Sequence, residues 1–301
     1  MMTVLLCRVA QRCGSRSRRS GSRSFRCSAT RIAASKPAVA VPCGRGRRSV
    51  STLSCYNISS TDVYSNLAFE TWLHESTDWN DQAAMLFWRN DPCVVIGSHQ
   101  NPWIECNLPA MAKDSVHLAR RRSGGGTVYH DAGNLNVTFM TSRAKHNPEL
   151  NSGVIAAVIK KAYGLDCTVR PKRSDIFVGD RKLSGSAFRL KTQAAYHHCT
   201  LLIDSDPQAI SHYLKSPMSS DIQSRGIESV RSPVTTLERE MQSLQHRSRS
   251  VDLPSLIAQE YWRQLGHELV ERLGAADAAL PSDIHAGIRD WMLSWPLWCQ
   301  P

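Results

Sequence analysis

The stretch from Arg120 to Phe139 constrains the fold more than any other, because three consecutive glycines stand between a run of arginines and an apolar segment. Glycine lacks a Cβ atom, so its backbone reaches unusual dihedral angles and a ligand can approach the main-chain amides closely. Successive exposed N–H groups form a concave anion site, and the arginines add forked donors that suit phosphate or carboxylate. The apolar residues on both sides of Gly133-Asn134 predict a strand, a turn and a second strand. A glycine-rich linker beside a solvated basic run is the alternative interpretation.

The positive charge of the chain lies almost entirely in its first 50 residues. The formal net charge is +11, yet residues 1–50 contain eleven Arg, one Lys and no acidic residue, and the first acidic residue is Asp62. Without those twelve cations, 25 of the 37 Lys and Arg remain against 26 Asp and Glu. A nearly neutral body disfavours RNA binding, since attraction to phosphate needs positive charge on the folded surface.

An Arg- and Ser-rich leader without acidic residues is typical of a mitochondrial transit peptide, so we assign residues 1–50 to targeting. A secretory signal would need a longer apolar run than Val4–Cys7, which Arg8 ends. A disordered basic tail is the alternative. The chain contains no apolar run near the roughly 18 residues of a membrane span. We therefore expect neither a membrane nor a nucleic acid as partner.

The spacing of cysteine, histidine and glycine excludes several classes of site. Four of the ten cysteines lie in the leader, and the others form no Cys-x-x-Cys pair, which predicts reduced and mostly buried thiols. The histidines lack His-Glu-x-x-His or similar spacing, so no metal site is expected. P-loop and dinucleotide-binding glycine patterns and the Gly-x-Ser-x-Gly elbow are also absent from the sequence.

Local patterns predict helices interspersed with paired strands. Asp62 is expected to cap a helix over Val63–Glu75, and Gly164 to end a helix over Ser152–Tyr163. The turn Asn90-Asp91-Pro92 predicts a hairpin between Ala84–Trp88 and Cys93–Gly97. Further strands are predicted at Asp175–Val178, Lys182–Leu190 and Ala195–Ile203, and further helices at Pro207–Leu214, Leu237–Leu244 and Pro254–Leu273. The pattern indicates an α+β fold, with a largely antiparallel mixed sheet and flanking helices.

Lys182 is the candidate catalytic residue, because it follows the turn Gly179-Asp180 and precedes the small residues Ser184 and Gly185. A cation in such an open place can stabilise charge that develops during acyl transfer. A solvated hairpin lysine is the alternative. His197 and His198 are ambiguous, since alternation along a strand puts one imidazole inward and one outward, and an inward histidine is more often a satisfied core residue.

Four segments together resemble the lipoate–protein ligase and lipoyltransferase family. They are Arg121-Arg122-Ser123-Gly124-Gly125-Gly126 with Val128-Tyr129-His130-Asp131 and Gly133-Asn134, then Lys182-Leu183-Ser184-Gly185-Ser186-Ala187-Phe188-Arg189, then Tyr196-His197-His198-Cys199-Thr200-Leu201-Leu202, and finally Ser229-Val230-Arg231-Ser232-Pro233-Val234-Thr235. Each segment alone is a modest signal, but four in the family's order over residues 62–270 are specific.

The resemblance implies the fold of the biotin/lipoate ligase catalytic domain, related to class II synthetase cores. It also implies that a lipoyl group passes through lipoyl-AMP to a protein lysine, with Lys182 at the lipoyl carbonyl and phosphate. Arg121, Gly126 and Tyr129 would lie at the acyl chain and its loop, and Arg173, Thr200, Ser232 and Val234 along the adenylate. The remaining implied lipoyl-AMP-binding residues are Ser123, Gly124, Gly125, His130, Ser184, Gly185 and His198. A long uncharged acyl chain also predicts an apolar tunnel beneath the glycine loop.

Cys199 stands where bacterial ligases usually carry glycine, and with the leader this favours the mitochondrial lipoyltransferase branch. That branch implies a location in the mitochondrial matrix and a lipoyl donor that is either lipoyl-AMP or the lipoylated glycine-cleavage H protein. The acceptors would be lipoyl domains of 2-oxoacid dehydrogenase acyltransferase subunits. ATP and magnesium would be needed only if the chain activates lipoate, with Asp175 as a candidate magnesium ligand.

The domain prediction is a catalytic domain at residues 55–250 followed by a remnant of a small C-terminal domain at 251–301. The last part, after about Leu280, matches nothing in the family's C-terminal domain, and we expect it to pack loosely. Three functions therefore stay open: a lipoyltransferase, an ATP-dependent lipoate–protein ligase, and a non-catalytic module that binds lipoyl domains. A biotin ligase is less consistent with the glycine-loop and Lys182 motifs.

The leader assignment predicts that residues 1–50 are dispensable for activity and required for import, because a basic segment without acidic residues suits targeting. A fluorescent protein fused to residues 1–50 should enter mitochondria, and the same fusion with its eleven arginines changed to serine should not. Cytosolic fluorescence from the unaltered fusion would contradict the assignment.

Overall fold

The computed structural model describes residues 50, 52–244 and 251–265 with their side chains, and the backbone of residues 3–5, 7–10, 30–32 and 277–279. The strands are β1 (Thr3–Leu5), β2 (Cys7–Ala10), β3 (Thr30–Ile32), β4 (Thr52–Asn57), β5 (Gln82–Trp88), β6 (Cys93–Ile96), β7 (His117–Arg120), β8 (Val128–His130), β9 (Asn134–Ser142), β10 (Thr168–Val169), β11 (Ile176–Val178), β12 (Arg181–Ser184), β13 (Ser186–Leu190), β14 (Ala194–Leu202) and β15 (Asp277–Ala279). The helices are α1 (Val63–Ser76), α2 (Pro102–Glu105), α3 (Leu108–Lys113), α4 (Pro148–Tyr163), α5 (Pro207–Tyr213), α6 (Leu237–Ser243) and α7 (Leu253–Gln264), with a 3-10 helix at Arg143–Lys145.

The principal sheet has the strand order β13-β14-β9-β5-β4-β2-β3. Its pairs from β13 to β5 are antiparallel, whereas β4 and β5 run parallel. Smaller sheets have the orders β7-β6-β8 and β10-β11-β12, and β1 pairs with β15. The predicted α+β fold with a largely antiparallel mixed sheet is confirmed.

The strands β5, β9 and β14 of the principal sheet are buried on both faces. Along β5, Met85 and Phe87 join a core cluster with α4 and α7, whereas Leu86 and Trp88 join a second cluster with α1. Successive strand side chains point to opposite faces, so helices cover both sides of this strand. Burial of both faces explains why β9 and β14 carry so few exposed residues.

The predicted hairpin between Ala84–Trp88 and Cys93–Gly97 is wrong. β5 lies in the principal sheet, whereas β6 pairs with β7 and β8. The connecting turn is held by α1 instead: the Asn66 side-chain amide donates to the carbonyl of Arg89 and to the side chain of Asn90. Those contacts come from residues more than twenty positions away, so the local turn signal could not reveal them.

The strand pair predicted around Gly133-Asn134 is divided in the same way, with β8 in the β6 sheet and β9 in the principal sheet. The Gly133 carbonyl accepts hydrogen bonds from the amides of Ile203 and Asp204 at 2.9 and 3.1 Å. A Cβ atom on Gly133 would lie 2.2 Å from the Asp204 carbonyl oxygen. This close approach fixes the turn against the end of β14 and separates the two strands.

The two predicted caps, Asp62 and Gly164, are confirmed, although α4 begins at Pro148, four residues before the predicted Ser152. The Asp62 carboxylate accepts a hydrogen bond from the Ser65 amide at 2.8 Å and starts α1. Gly164 ends α4 with a φ of 72°, the left-handed conformation that glycine adopts without strain. Side-chain caps satisfy amides that the first helical turn leaves without partners, which is why these positions can be read from sequence.

Helix α7 lies within the main hydrophobic core. Ile257 and Tyr261 are buried there, and the Tyr261 ring meets Phe139 of β9 edge-on at 5.0 Å. The sequence assigned this helix to a C-terminal remnant, and that domain division stays a prediction. Residues 266–273 of the predicted helix and the unmatched end after Leu280 lie outside the described residues. Within the described residues, no helix is both long and apolar enough to cross a membrane.

His74 on α1 yields a stability prediction. Neither ring nitrogen has a hydrogen-bond partner among the described residues, and the ring packs edge-on against Tyr196 at 4.9 Å. Burial, with the nearby cations of Lys191 and Arg189, lowers the pKa of His74 to about 4. In the unfolded chain the ring binds a proton below about pH 6.5, so the folded state loses stability as the pH falls from 6.5 towards 4.

We therefore expect His74→Phe to raise the free energy of unfolding by about 1 kcal/mol at pH 7, because it removes unsatisfied buried nitrogens. The gain should grow by about 1–3 kcal/mol towards pH 4. Urea unfolding across this pH range measures both effects, with the exposed His117→Phe as control. A His74→Phe variant that is less stable than the wild type at both pH values would contradict the explanation.

Candidate active site

A cavity of about 470 Å³ lies between the glycine loop (residues 121–127) and strands β12 and β13. One part of its wall is apolar and another carries charged groups, which suits a ligand with an uncharged chain and an anionic end. The apolar lining comes from Leu67, Trp88, Val95, Val128, Ala187, Phe188, Leu190, Ile227 and Val230, and the charged lining from Arg121, Lys172, Arg173, Asp175, Lys182 and Glu228.

The buried guanidinium of Arg121 holds the glycine loop in shape. It donates to the carbonyl of Gly124 at 2.7 Å, to that of Gly126 at 2.6 Å, to that of Val95 at 3.1 Å and to the Ser123 hydroxyl at 3.0 Å. Burial lowers the pKa of Arg121 to about 10, so the group stays charged at neutral pH. The charged guanidinium thus binds four protein acceptors and has a structural role in the loop.

For Arg120 and Arg121, the structure corrects the expectation that the arginines would offer their forks to a ligand. Arg120 also binds protein carbonyls, those of Gly97 and Gln100, at 3.0 and 2.9 Å. The carbonyls of Gly124 and Gly126 are turned to Arg121, and the N–H groups of the three loop glycines bond to none of the described residues. Free successive amides of this kind form an anion site.

Gly125 occupies the one position of the loop where glycine is required by the backbone. Its φ is +89°, a conformation that residues with a Cβ rarely adopt. A Cβ atom there would lie 3.1 Å from the Arg121 guanidinium and 3.3 Å from the Ala187 side chain. Gly124, in contrast, has no heavy atom within 4 Å of such a Cβ.

Lys182 faces the cavity from β12, opposite the glycine loop. Its ammonium pairs with the Asp175 carboxylate, with Nζ 2.9 Å from Oδ2, and its side chain is 17% exposed. The other Asp175 oxygen accepts a hydrogen bond from the Ser186 amide at 2.8 Å, so both carboxylate oxygens hold protein groups. The ion pair keeps the ammonium on the cavity wall.

The segment around Val234 supports Lys182 through the backbone. The Lys182 amide donates to the Pro233 carbonyl at 2.7 Å, and its carbonyl accepts from the Thr235 amide at 2.9 Å. Val234 is thereby a parallel bridge partner of Lys182. Val234 and Ser232 lie outside the cavity lining.

A buried polar chain lies behind the glycine loop. The Glu70 carboxylate accepts from Thr138 at 2.7 Å and contacts His198 Nδ1 at 2.9 Å, and His198 Nε2 lies 2.7 Å from the Ser123 hydroxyl. Ser123 in turn accepts from Arg121. Such connected networks fix side-chain positions strongly in a low-dielectric interior, so His198 lines the cavity in a fixed orientation.

The two neighbouring histidines are both buried, which corrects the expectation that one would face outward. His197 lies on the other face of β14, where its Nε2 is 2.9 Å from the Ser186 hydroxyl and its ring stacks on Phe139. Burial lowers the pKa of His197 well below its usual value. Both faces of the strand are covered, so strand alternation does not expose either ring.

Tyr129 and His130 point to different surroundings. His130 lines the cavity, and its Nδ1 lies 2.9 Å from the Asn90 amide nitrogen. Burial, with the charge of Arg121, lowers the pKa of His130 to about 3, so the ring is neutral. Tyr129 lies outside the lining and stacks on Tyr213 in a separate apolar cluster.

Most of the residues implied by the motifs meet at this cavity. Those that line it are Arg121, Gly124, Gly125, Gly126, His130, Arg173, Lys182, Gly185, His198 and Thr200, with Asp175. Those outside the lining are Ser123, Tyr129, Ser184, Ser232 and Val234.

Motif reading missed the apolar lining residues Leu67, Trp88 and Val95, which come from three separate elements and carry no local signal. It also missed Asn136, although a buried amide within the apolar strand β9 is itself a signal. Within the described residues, no group of three or more His, Cys, Asp or Glu side chains could hold a metal ion.

The loop geometry predicts different outcomes for two adjacent glycines. Gly125→Ala should lower the free energy of unfolding by about 1–2 kcal/mol, because a Cβ there strains the backbone and presses on Arg121. Gly124→Ala, with open space around its Cβ, should stay within about 0.5 kcal/mol of the wild type. Urea unfolding of both variants measures the difference, and equal losses would show that the loop conformation is not as described.

Comparison with known proteins agrees with this geometry. The family model for the lipoyl protein ligase A/B catalytic domain matches residues 62–258. The chain is 44% identical over 179 residues to the mitochondrial lipoyl amidotransferase of Homo sapiens, covering 59% of this chain and 48% of that protein. It is 36% identical over 237 residues to lipoate-protein ligase A of Psychrobacter cryohalolentis, covering 77% of this chain and 68% of that protein. The chain thus spans about half the length of the human relative and two thirds of the bacterial one.

Solved structures share the fold. P. falciparum LipL1 in complex with lipoate is 26% identical with a TM-score of 0.57, covering 70% of this chain and 62% of that one. A lipoate-protein ligase A bound with ATP is 22% identical with a TM-score of 0.56, covering 76% and 89%. The bipartite ligase of Thermoplasma acidophilum, described with its E2 lipoyl domain, is 22% identical with a TM-score of 0.57, covering 75% and 86%. The resemblance seen in the four motifs is confirmed, and the chain belongs to the family of lipoyl protein ligase A/B catalytic domains.

Proposed function

We propose that this protein transfers a lipoyl group to a lysine side chain of another protein. One observation carries the proposal: Lys182, paired with Asp175 at 2.9 Å, and the glycine loop, whose glycine N–H groups bond to none of the described residues, line the same cavity. A cation on one wall and an anion-binding loop on the other suit an acyl-phosphate ligand. Relatives that are lipoyl amidotransferases and lipoate ligases support the lipoyl group as the acyl part.

The proposed donor is lipoyl-AMP. The acceptor lysine amine attacks the lipoyl carbonyl, a C–N bond forms, the bond between the carbonyl carbon and the phosphate oxygen breaks, and AMP leaves with the electron pair. The amine loses a proton in the same conversion. Negative charge grows first on the carbonyl oxygen and then on the phosphate, and the role proposed for the Lys182 ammonium is to stabilise both.

The lipoyl chain is proposed to lie along the apolar part of the lining, against Leu67, Trp88 and Val95. All three residues belong to the second core cluster, so the chain would enter a dry region of the protein. Transfer of apolar surface out of water stabilises such a complex by about 25 cal/mol for each Å² buried. The adenylate would then lie on the charged side, along Arg173 and Thr200.

A second candidate is an ATP-dependent lipoate–protein ligase. The bacterial relative bears that name, and a related structure holds ATP. Asp175 would then be a magnesium ligand, but both of its oxygens already hold protein groups. Each carboxylate oxygen keeps a further lone pair for a metal, so it is the 44% identity to a lipoyl amidotransferase that favours a function starting from preformed lipoyl-AMP, or from the lipoylated H protein. Lipoate-dependent exchange of pyrophosphate into ATP distinguishes the two, and we expect little or none.

The proposed acceptors are lipoyl domains, including those of 2-oxoacid dehydrogenase acyltransferase subunits, and the proposed location is the mitochondrial matrix. A related ligase is described together with its E2 lipoyl domain, which supports the acceptor class. The human relative is mitochondrial, and the basic leader of this chain fits that location.

The proposal predicts that Lys182→Met lowers the rate of lipoyl transfer from lipoyl-AMP about a hundredfold or more. Loss of a charged donor at a developing oxyanion typically costs about 3–4 kcal/mol of transition-state stabilisation. Lys191→Met is the matched control, because that lysine pairs with Glu75 outside this cavity. The measurement is single-turnover lipoylation of an apo lipoyl domain.

Near wild-type turnover by Lys182→Met would reject the assigned role of the lysine. Tight binding of an apo lipoyl domain by the wild type, without any transfer, would instead favour the non-catalytic module. The two outcomes are separated by measuring acceptor affinity and lipoylation on the same preparation.

A further inference from the structure

One side of the cavity is closed by an irregular segment, residues 226–230, which we call the cover segment. It belongs to the stretch without regular secondary structure between α5 and α6. Residues Ile227–Val230 line the cavity, yet Ile227 and Val230 are 55% and 59% exposed. A segment this exposed lacks the apolar burial that would hold it, so its position must come from specific polar contacts.

Gln100 supplies several of those contacts from a buried position. Its Oε1 accepts hydrogen bonds from the Gly97 amide and the Thr127 hydroxyl, both at 2.9 Å. A backbone N–H can only donate, so this contact fixes which end of the side-chain amide is oxygen. The Nε2 group therefore donates to the cover segment, at 3.2 Å to the Ile227 carbonyl and at 3.0 Å to the Ser229 hydroxyl.

Ser229 of the cover segment extends this set of hydrogen bonds, which we call the Gln100 network (Gln100, Gly97, Thr127, Ile227 and Ser229). Its hydroxyl oxygen accepts a second hydrogen bond, from the Thr127 amide at 2.8 Å, and its own amide donates to the buried Glu105 carboxylate at 3.0 Å. A Cβ atom on Gly126 would lie 3.0 Å from the Ser229 hydroxyl oxygen. The glycine loop and the cover segment thus touch directly, and Gln100 bonds to both.

We propose that Gln100 is a positioning residue that sets the cover segment against the glycine loop before the acyl-adenylate binds. The inference rests on the proposed function, because it takes the cavity as the acyl-adenylate site. Ordering an irregular segment costs conformational entropy, and a ligand that had to order it would bind more weakly. With the Gln100 network formed, the cover segment is already ordered when the ligand binds.

Two substitutions test the hydrogen bonds of the Gln100 side-chain amide. Gln100→Met keeps the size of the side chain and removes every hydrogen bond of the amide. Gln100→Glu keeps an oxygen for Gly97 and Thr127 but places the second oxygen against the Ile227 carbonyl. It therefore replaces the hydrogen bond to Ile227 by a repulsive contact, whereas the Ser229 hydroxyl can still donate to the new oxygen. Gln242→Met, at an exposed glutamine on α6, is the matched control.

The probe is the sulfamate analogue of lipoyl-AMP, and its Kd is measured by calorimetry. We expect Kd, and KM in lipoyl transfer, to rise roughly tenfold in both Gln100 variants, as for the loss of one or two hydrogen bonds of ordinary strength. The kcat should stay within about twofold, because no bond of Gln100 changes in the chemical step. In the ligand-free protein, hydrogen exchange at the amides of Ile227 and Ser229 should become faster.

Unchanged or tighter binding of the analogue by both variants would overturn the inference. So would a loss confined to kcat and melting temperature, since that pattern marks a purely structural residue. If the wild type itself fails to bind the analogue, the proposed function falls and this inference falls with it. Normal wild-type binding with unaffected variants contradicts only the role of Gln100.

Discussion

The site depends on the burial of one guanidinium, that of Arg121. A charged group in the protein interior is costly unless hydrogen bonds compensate it, and here the acceptors are the carbonyls of Gly124, Gly126 and Val95 with the Ser123 hydroxyl. The glycine loop folds around the guanidinium and supplies hydrogen-bond acceptors to it. The N–H groups of the loop glycines bond to none of the described residues, so the proposed anion site depends on the arginine as well as on the glycines.

The surrounding fold fixes the position of the glycine loop relative to Lys182. Arg121 directly follows β7 of the β7-β6-β8 sheet, whereas Lys182 lies on β12 of the β10-β11-β12 sheet. Strand β14 of the principal sheet packs against β12. The polar chain from Glu70 through His198 to Ser123 links α1, β14 and the loop. Elements far apart in sequence therefore share one rigid network, which is what acyl transfer at a fixed geometry requires.

Local chemistry made much of this structure predictable. Asp62 and Gly164 could be read as helix ends because capping involves only neighbouring residues. The contiguous motifs placed the glycine loop and Lys182 at one cavity. The partners of β6 and β8 could not be read, since strand pairing is set by contacts across the chain, such as those of Asn66 with the turn after β5.

The same limit applies to the site itself. The apolar lining at Leu67, Trp88 and Val95 comes from one helix and two strands, with no shared motif. Arg121 looked like a ligand donor because sequence shows charge but not burial. Gln100 and Ser229 gave no signal as a pair, since 129 positions separate them and only the fold brings them together.

Intact mass analysis of an apo lipoyl domain, after incubation with this protein and lipoyl-AMP, tests the central claim most directly. Lipoyl-AMP also acylates amines without an enzyme, so a parallel incubation without the protein sets the background. The account predicts the addition of one lipoyl group, mapped to a single lysine, at a rate far above that background. Acylation at the background rate, or spread over many lysines, would contradict it.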